Sequence, residues 1–170
     1  MTRNFHELVA AQKAEGKSAC IALKCEFDKN KQGTCTADVI VASTIALFEA
    51  TKHVAFAYVV NLESYLERGV EGSVAMFLIF AHIRALAPNI PIILHAEYSH
   101  TGNPNADNVK FAFGFLGADA VTVNPHRGRE ALQPFLEYGN KGIIFPSDIP
   151  AFTGAHHGLM EHHNPVNQYN

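Results

Sequence analysis

The chain has 170 residues, of which 48% are hydrophobic and 17% are charged, and its formal net charge is −3. This length suffices for one domain with a substantial core, and the composition is that of an ordinary globular protein. The sequence has no basic run, which argues against nucleic acid or an anionic membrane as the main partner. Its first residues, M-T-R-N-F-H-E-L, lack the apolar core of a signal peptide, so we expect a cytoplasmic protein.

Helical and strand patterns alternate along the chain. Phe5, Leu8 and Val9 recur at helical spacing, and the apolar run S-A-C-I-A-L-K-C-E-F then predicts a strand with buried cysteines. In chain order, the predicted elements are a helix over residues 3–15, a strand over 18–27, a helix over 36–50, a strand over 53–61, a helix from about 69 to 87, a strand over 90–97, a helix from about 108 to 116, a strand over 118–125, a helix over 127–138 and a strand over 141–146.

This alternation predicts the α/β class. Near-continuous apolar strands separated by helices are typical of a parallel sheet covered on its faces, although periodicity does not separate an open doubly wound sheet from part of a (β/α) barrel. We expect one α/β domain over residues 1–150 and a histidine-rich tail over residues 151–170. The most apolar helix-like stretch, around residues 74–86, contains His82 and Arg84 and is expected to be too short to span a bilayer.

Polar residues follow the predicted strands at their carboxyl ends, where ligands bind in both architectures. These residues include Lys24, Asn61, His95, Glu97 and Asn124. The sequence has neither G-x-G-x-x-G nor G-x-x-x-x-G-K-[ST], so we expect no organic cofactor.

The stretch I-I-L-H-A-E-Y-S-H is the most unusual of these strand ends. His95 and Glu97 share a face because they are two residues apart in a strand, and His100 lies just beyond. Two imidazoles and a carboxylate could hold a divalent Zn, Mn or Fe ion or carry proton transfer. The alternatives are a binding site without metal and a site without function.

The segment F-L-G-A-D-A-V-T-V-N-P-H-R-G-R-E-A-L-Q-P-F-L, residues 115–136, closely resembles the fourth strand and following helix of the orotidine 5′-phosphate decarboxylase family. S-A-C-I-A-L resembles the first strand of the family, A-Y-V-V-N-L-E-S-Y-L-E-R-G-V-E-G the second, and I-P-I-I-L-H-A-E-Y-S-H-T-G-N the third. The resemblance extends from about residue 5 to 150. It implies a truncated TIM-type (β/α) barrel of about five βα units, because the family barrel has eight strands.

The resemblance also implies changes at the catalytic positions. The Asp-x-Lys-x-x-Asp motif of the family falls on His95, Glu97 and His100, and its strand-one aspartate falls on Lys24. Its strand-two lysine falls on Val59. Because a glutamate cannot supply an ammonium proton, the ordinary decarboxylation of the family is not expected here.

The resulting expectation is a diverged lyase or isomerase acting on a small anionic carboxylate or carbonyl compound, perhaps phosphorylated. The candidate catalytic residues are His95, Glu97, His100 and Lys24, the first three of which are also the candidate metal ligands. The candidate substrate-binding residues are Asn61, Thr101 and Asn124. The resemblance favours a homo-oligomer, and an exposed sheet edge would be covered by oligomerisation or by the tail. Two alternatives stay open: a non-catalytic homologue serving as a structural or regulatory subunit, and retained orotidine 5′-phosphate decarboxylation in pyrimidine biosynthesis.

Overall fold

A computed structural model describes residues 3–25, 35–98, 103–124, 129–147 and 158–160. Its sheet has six strands in the order of the chain: β1 (Ala19–Leu23), β2 (Ala55–Asn61), β3 (Ile92–Tyr98), β4 (Ala120–Val123), β5 (Gly142–Ser147) and β6 (Gly158–Met160). The first five pair in parallel, and β6 pairs antiparallel with β5. The predicted α/β class with five parallel strands is confirmed.

Helices connect the parallel strands. They are α1 (Phe5–Ala14), α2 (Ala37–Thr51), α3 (Leu62–Leu66), α4 (Gly69–Leu86), α5 (Asn103–Val109), continued by a π-helical segment (Lys110–Leu116), and α6 (Arg129–Leu136). The sequence prediction missed α3 and began the fifth helix about five residues late, because the polar stretch before it resembles a loop. Asn105 in that stretch is fully buried, and its side-chain amide donates to the carbonyl of Ala131 at 2.9 Å.

The two faces of the sheet bury different residues. The helix-covered face carries the main core, where Tyr58 and Leu94 pack with Ile79 of α4. The opposite, inner face has a smaller cluster that includes Ala57, Ile93, Ala120 and Ile144. At its margin, β1 exposes Cys20. The prediction that the strand cysteines are buried is therefore wrong for Cys20 and confirmed for Cys25.

A side chain of α4 caps the amino end of α2 and so joins the two helices. Thr36 is the N-cap residue of α2, but its side chain makes no capping hydrogen bond. Instead, the backbone N–H of Ala37 donates to a carboxylate oxygen of Glu71 in α4 at 2.5 Å. A carboxylate is favourable there because the first amides of a helix carry partial positive charge.

Helix α4 has 18 residues and is long and apolar enough, by length and composition, to cross a membrane. The expectation that it is too short was therefore wrong. Met76, Ile79 and Ile83 on one face are buried in the core, whereas Val70 and Val74 on the other are exposed. Core helices of globular proteins commonly pass this test, so length and composition alone are weak evidence for a membrane span.

A hydrogen-bonded ion pair joins the amino ends of the strands. The guanidinium of Arg3 donates to both carboxylate oxygens of Asp119, from Nε at 2.8 Å and from Nη2 at 2.7 Å. Asp119 also accepts from the backbone N–H of Ile92 at 2.9 Å. Asp119 is fully buried, and the Arg3 side chain is 17% exposed.

The two edge strands of the parallel sheet, β1 and β5, differ in whether another strand of the described residues covers them. Strand β6 pairs with β5, with Phe145 opposite Met160, so part of the tail covers that edge. At the other edge, no strand within the described ranges pairs with the outer side of β1. The expectation of oligomerisation therefore applies to β1.

Replacing Gly72 with alanine is expected to destabilise the protein by about 1–3 kcal/mol. A Cβ there would collide with the backbone carbonyl oxygen of Tyr65. Because that atom belongs to the backbone, a change of side-chain rotamer cannot relieve the collision. Urea unfolding of Gly72→Ala beside Gly114→Ala would measure the effect, since a Cβ at Gly114 has no neighbour within 4 Å among the described residues. Equal stability of the two variants would contradict this packing.

Candidate functional site

The carboxyl ends of β1, β2 and β3 bring three predicted site residues to one edge. Leu23 pairs with Val60, and Asn61 pairs with His95, so Lys24 follows β1 at the level of Asn61 and His95. Alternation along each strand places all three positions on the inner face of the sheet. The register thus brings these three candidate residues to one edge of the sheet, and their roles in binding or catalysis stay predictions.

Asn61 has a structural role in the fold in addition to its proposed role in binding a ligand. Its side-chain oxygen accepts from the backbone N–H of Ser64 at 2.8 Å and so caps α3. The Ser64 hydroxyl donates to the backbone carbonyl of Asn61 at 2.9 Å and accepts from the backbone N–H of Cys25 at 3.1 Å. Because the side-chain oxygen of Asn61 is engaged, its NH₂ group is the part that can donate to a ligand.

His95 is half-buried on β3, and its Nδ1 lies 3.0 Å from the hydroxyl oxygen of Thr122 on β4. The same oxygen accepts from the backbone N–H of Ala96 at 3.1 Å. Since Nδ1 is engaged within the sheet, Nε2 is the ring nitrogen that can meet a ligand. Thr122 is not among the residues predicted from the sequence, where its only signal is a hydroxyl inside the apolar run A-V-T-V of β4.

Two cationic side chains lie near the end of β1. Lys24 is exposed. The guanidinium of Arg68, which the sequence analysis did not select, hydrogen-bonds the thiol of Cys25, the residue after Lys24. Burial raises the pKa of that thiol, the neighbouring Cys35 raises it further, and Arg68 opposes both effects. Two positively charged side chains therefore lie near the end of β1.

The remaining candidate residues are only partly described. Asn124 follows β4 and is half-buried. Glu97 lies in β3, but the structure describes only its backbone. His100 and Thr101 lie outside the described residues. The proposed roles of these last three residues, and the replacement of the Asp-x-Lys-x-x-Asp motif, therefore stay predictions.

The metal centre has no support from the described part of the chain. Within it, no three His, Cys, Asp or Glu side chains are grouped closely enough to hold an ion. Of the three predicted ligands, only the His95 side chain is described. What the described edge does offer is hydrogen-bond donors, from Lys24, Asn61 and His95, which suit an anionic ligand.

Comparison with known proteins gives a consistent result. An orotidine 5′-phosphate decarboxylase of Thermomicrobium roseum is 34% identical over 144 residues, which cover 83% of this chain and 50% of the relative. One of Albidiferax ferrireducens is 31% identical over 140 residues, covering 81% of this chain and 47% of the relative. No family model matches the chain.

Solved structures agree with these relatives. The OMP decarboxylase of Leishmania donovani superposes with a TM-score of 0.73 at 27% identity, covering 84% of this chain and 52% of that one. The UMP synthase of the same organism superposes with a TM-score of 0.74 at 28% identity, covering 85% of this chain and 30% of that one. The chain thus spans about half the length of the curated relatives it matches. By sequence and by fold, the chain is similar to orotidine 5′-phosphate decarboxylases over most of its own length.

Proposed function

We propose that this chain has an orotidine 5′-phosphate decarboxylase-like function and takes a small phosphorylated anion of the orotidine 5′-phosphate type at the carboxyl edge of β1–β3. The observation that carries the proposal is the 34% identity over 144 residues to a relative of that name. The donor groups of Lys24, Asn61 and His95 on three adjacent strands support an anionic ligand. This proposal places the decarboxylase alternative ahead of the diverged lyase or isomerase.

Decarboxylation requires a proton source. The bond between the ring carbon and the carboxylate breaks, carbon dioxide leaves, and the electron pair left on the ring carbon takes up one proton. By resemblance, Glu97 occupies the position of the family's lysine, so the proton must come from another group. We assign this role to the Nε2–H of His95, whose Nδ1 is held by Thr122. The Lys24 ammonium would stabilise the negative charge.

The metal-dependent form of the earlier hypothesis is not retained in this proposal, because the described residues give it no support. The acid–base roles of His95 and Lys24 are retained.

The proposal also includes a location in the cytoplasm and assembly into a homo-oligomer through the β1 edge. Light scattering of the purified protein would measure the assembly, and cell fractionation the location.

A non-catalytic homologue is the second candidate. It is favoured by the glutamate at position 97, where the family resemblance places a lysine. Such a protein would retain the fold and the open β1 edge while binding no nucleotide.

Lys24→Ala is expected to weaken binding of orotidine 5′-phosphate by about 10- to 100-fold, since a hydrogen bond to a charged group contributes on the order of 1.5–3 kcal/mol. Isothermal titration with this ligand would measure the affinity, and loss of the orotate ultraviolet absorbance would measure turnover. Lys52→Ala is the matched control, because Lys52 pairs with Glu49 just before the amino end of β2. A folded wild-type protein that binds no orotidine 5′-phosphate at millimolar concentration would refute the proposal in favour of the non-catalytic homologue.

A further inference from the structure

The hydroxyl of Thr122 is a buried polar group in the middle of an apolar strand. The residue is 4% exposed and lies on β4 beside the carboxyl half of β3. Its oxygen has two hydrogen-bond partners among the described residues, the backbone N–H of Ala96 at 3.1 Å and Nδ1 of His95 at 3.0 Å. Both partners belong to β3, so the hydroxyl joins the two strands at the level of the site.

The proton positions in this group follow from its partners. The N–H of Ala96 can only donate, so the Thr122 oxygen accepts from it. The hydroxyl proton must then find an acceptor, and among the described residues Nδ1 of His95 is the one within reach. If Nδ1 carried a proton instead, the buried hydroxyl proton would have no partner there, which is unfavourable.

We infer that Thr122 is a positioning residue that holds His95 as the neutral imidazole with its proton on Nε2. The functional value of this tautomer rests on the proposed function, because an anionic substrate or a developing carbanion needs a hydrogen-bond or proton donor at Nε2. It adds a specific property to the site: β3 presents an N–H there. An incoming metal ion would instead require the lone pair of Nε2, and hence a shift of the proton to Nδ1.

The experiment is nitrogen-15 NMR of the full chain with labelled histidine, recorded at neutral pH without ligand. The His95 signals are identified by their loss in His95→Asn. We expect the wild type and Thr122→Ser to show a protonated Nε2 and a hydrogen-bonded acceptor at Nδ1. Thr122→Val should lose the acceptor signature, whereas Thr51→Val, a change at the hydroxyl that contacts Tyr58, should leave it unchanged.

A wild-type spectrum with the proton on Nδ1, or a Thr122→Val spectrum identical to that of the wild type, would overturn the inference. If Thr122→Val fails to fold, the wild type and Thr122→Ser still decide the position of the proton. In titrations with orotidine 5′-phosphate, Thr122→Val should bind about tenfold more weakly and Thr122→Ser should recover the affinity. The tautomer is read without nucleotide, so failure of nucleotide binding would leave this result standing and would count against the proposed function alone.

Discussion

Asp119→Asn is expected to lower the free energy of unfolding by about 3 kcal/mol or more, because it leaves the Arg3 guanidinium without its carboxylate. Asp119 is fully buried, and its two oxygens accept three hydrogen bonds, two from Arg3 and one from the backbone of Ile92. An asparagine keeps the volume but turns an NH₂ group toward one of these donors. The amino terminus, β3 and β4 would lose their shared anchor.

Equilibrium unfolding in urea would measure this loss. Asp107→Asn is the matched control, because the Asp107 side chain is 80% exposed and its pair with Lys110 is at the surface. We expect that control to stay within about 0.5 kcal/mol of the wild type. If both variants had the same stability, the buried pair would have no net role in holding the strands, as is found where desolvation cancels the attraction.

His95→Ala is expected to reduce the kcat/KM for decarboxylation of orotidine 5′-phosphate by about 10²- to 10⁴-fold, the usual contribution of a positioned proton donor. The reason is geometric. His95 lies at the end of β3 opposite Asn61, with Nδ1 held by Thr122, so that Nε2 can face a ligand on the inner side. Nucleotide affinity should fall much less than the rate, because the ammonium of Lys24 remains.

Steady-state kinetics with the wild type, His95→Ala and His53→Ala would test this role. His53 lies in the turn before β2, at the amino end of the sheet, and its replacement should leave the rate unchanged within a factor of two or so. Wild-type activity in His95→Ala would transfer the proton-donor role to another residue, with Lys24 the first to be examined. A fall in affinity without a fall in rate would make His95 a binding residue only.

The fold class was predictable because burial on both faces leaves a direct mark on a sequence. Each central strand of a parallel sheet must be apolar almost throughout. The runs around Val60, Leu94 and Val121 have this character, and these three residues are buried. The start of α5 was not predictable in this way. Asn105 looks like a loop residue, and only its contact with Ala131 of α6 makes it a buried helical residue.

The helix cap shows the same limit. Thr36 is an ordinary capping residue by type, and it lies at the N-cap of α2. The group that accepts the Ala37 amide, however, is Glu71, which is 34 residues further along the chain. Local preference therefore located the end of the helix, whereas tertiary packing selected the acceptor.

The sequence by itself determined the α/β class, the resemblance to orotidine 5′-phosphate decarboxylases, and the face on which Lys24, Asn61 and His95 lie, because side chains alternate along a strand with a period of two. Only the tertiary structure decided what those residues can offer. The oxygen of Asn61 is engaged by Ser64, and Nδ1 of His95 is engaged by Thr122, which lies 27 residues away. A hydrogen bond between strands depends on distance and direction in space, and a buried polar group must find its partner there, so no local pattern specifies which atoms remain for a ligand.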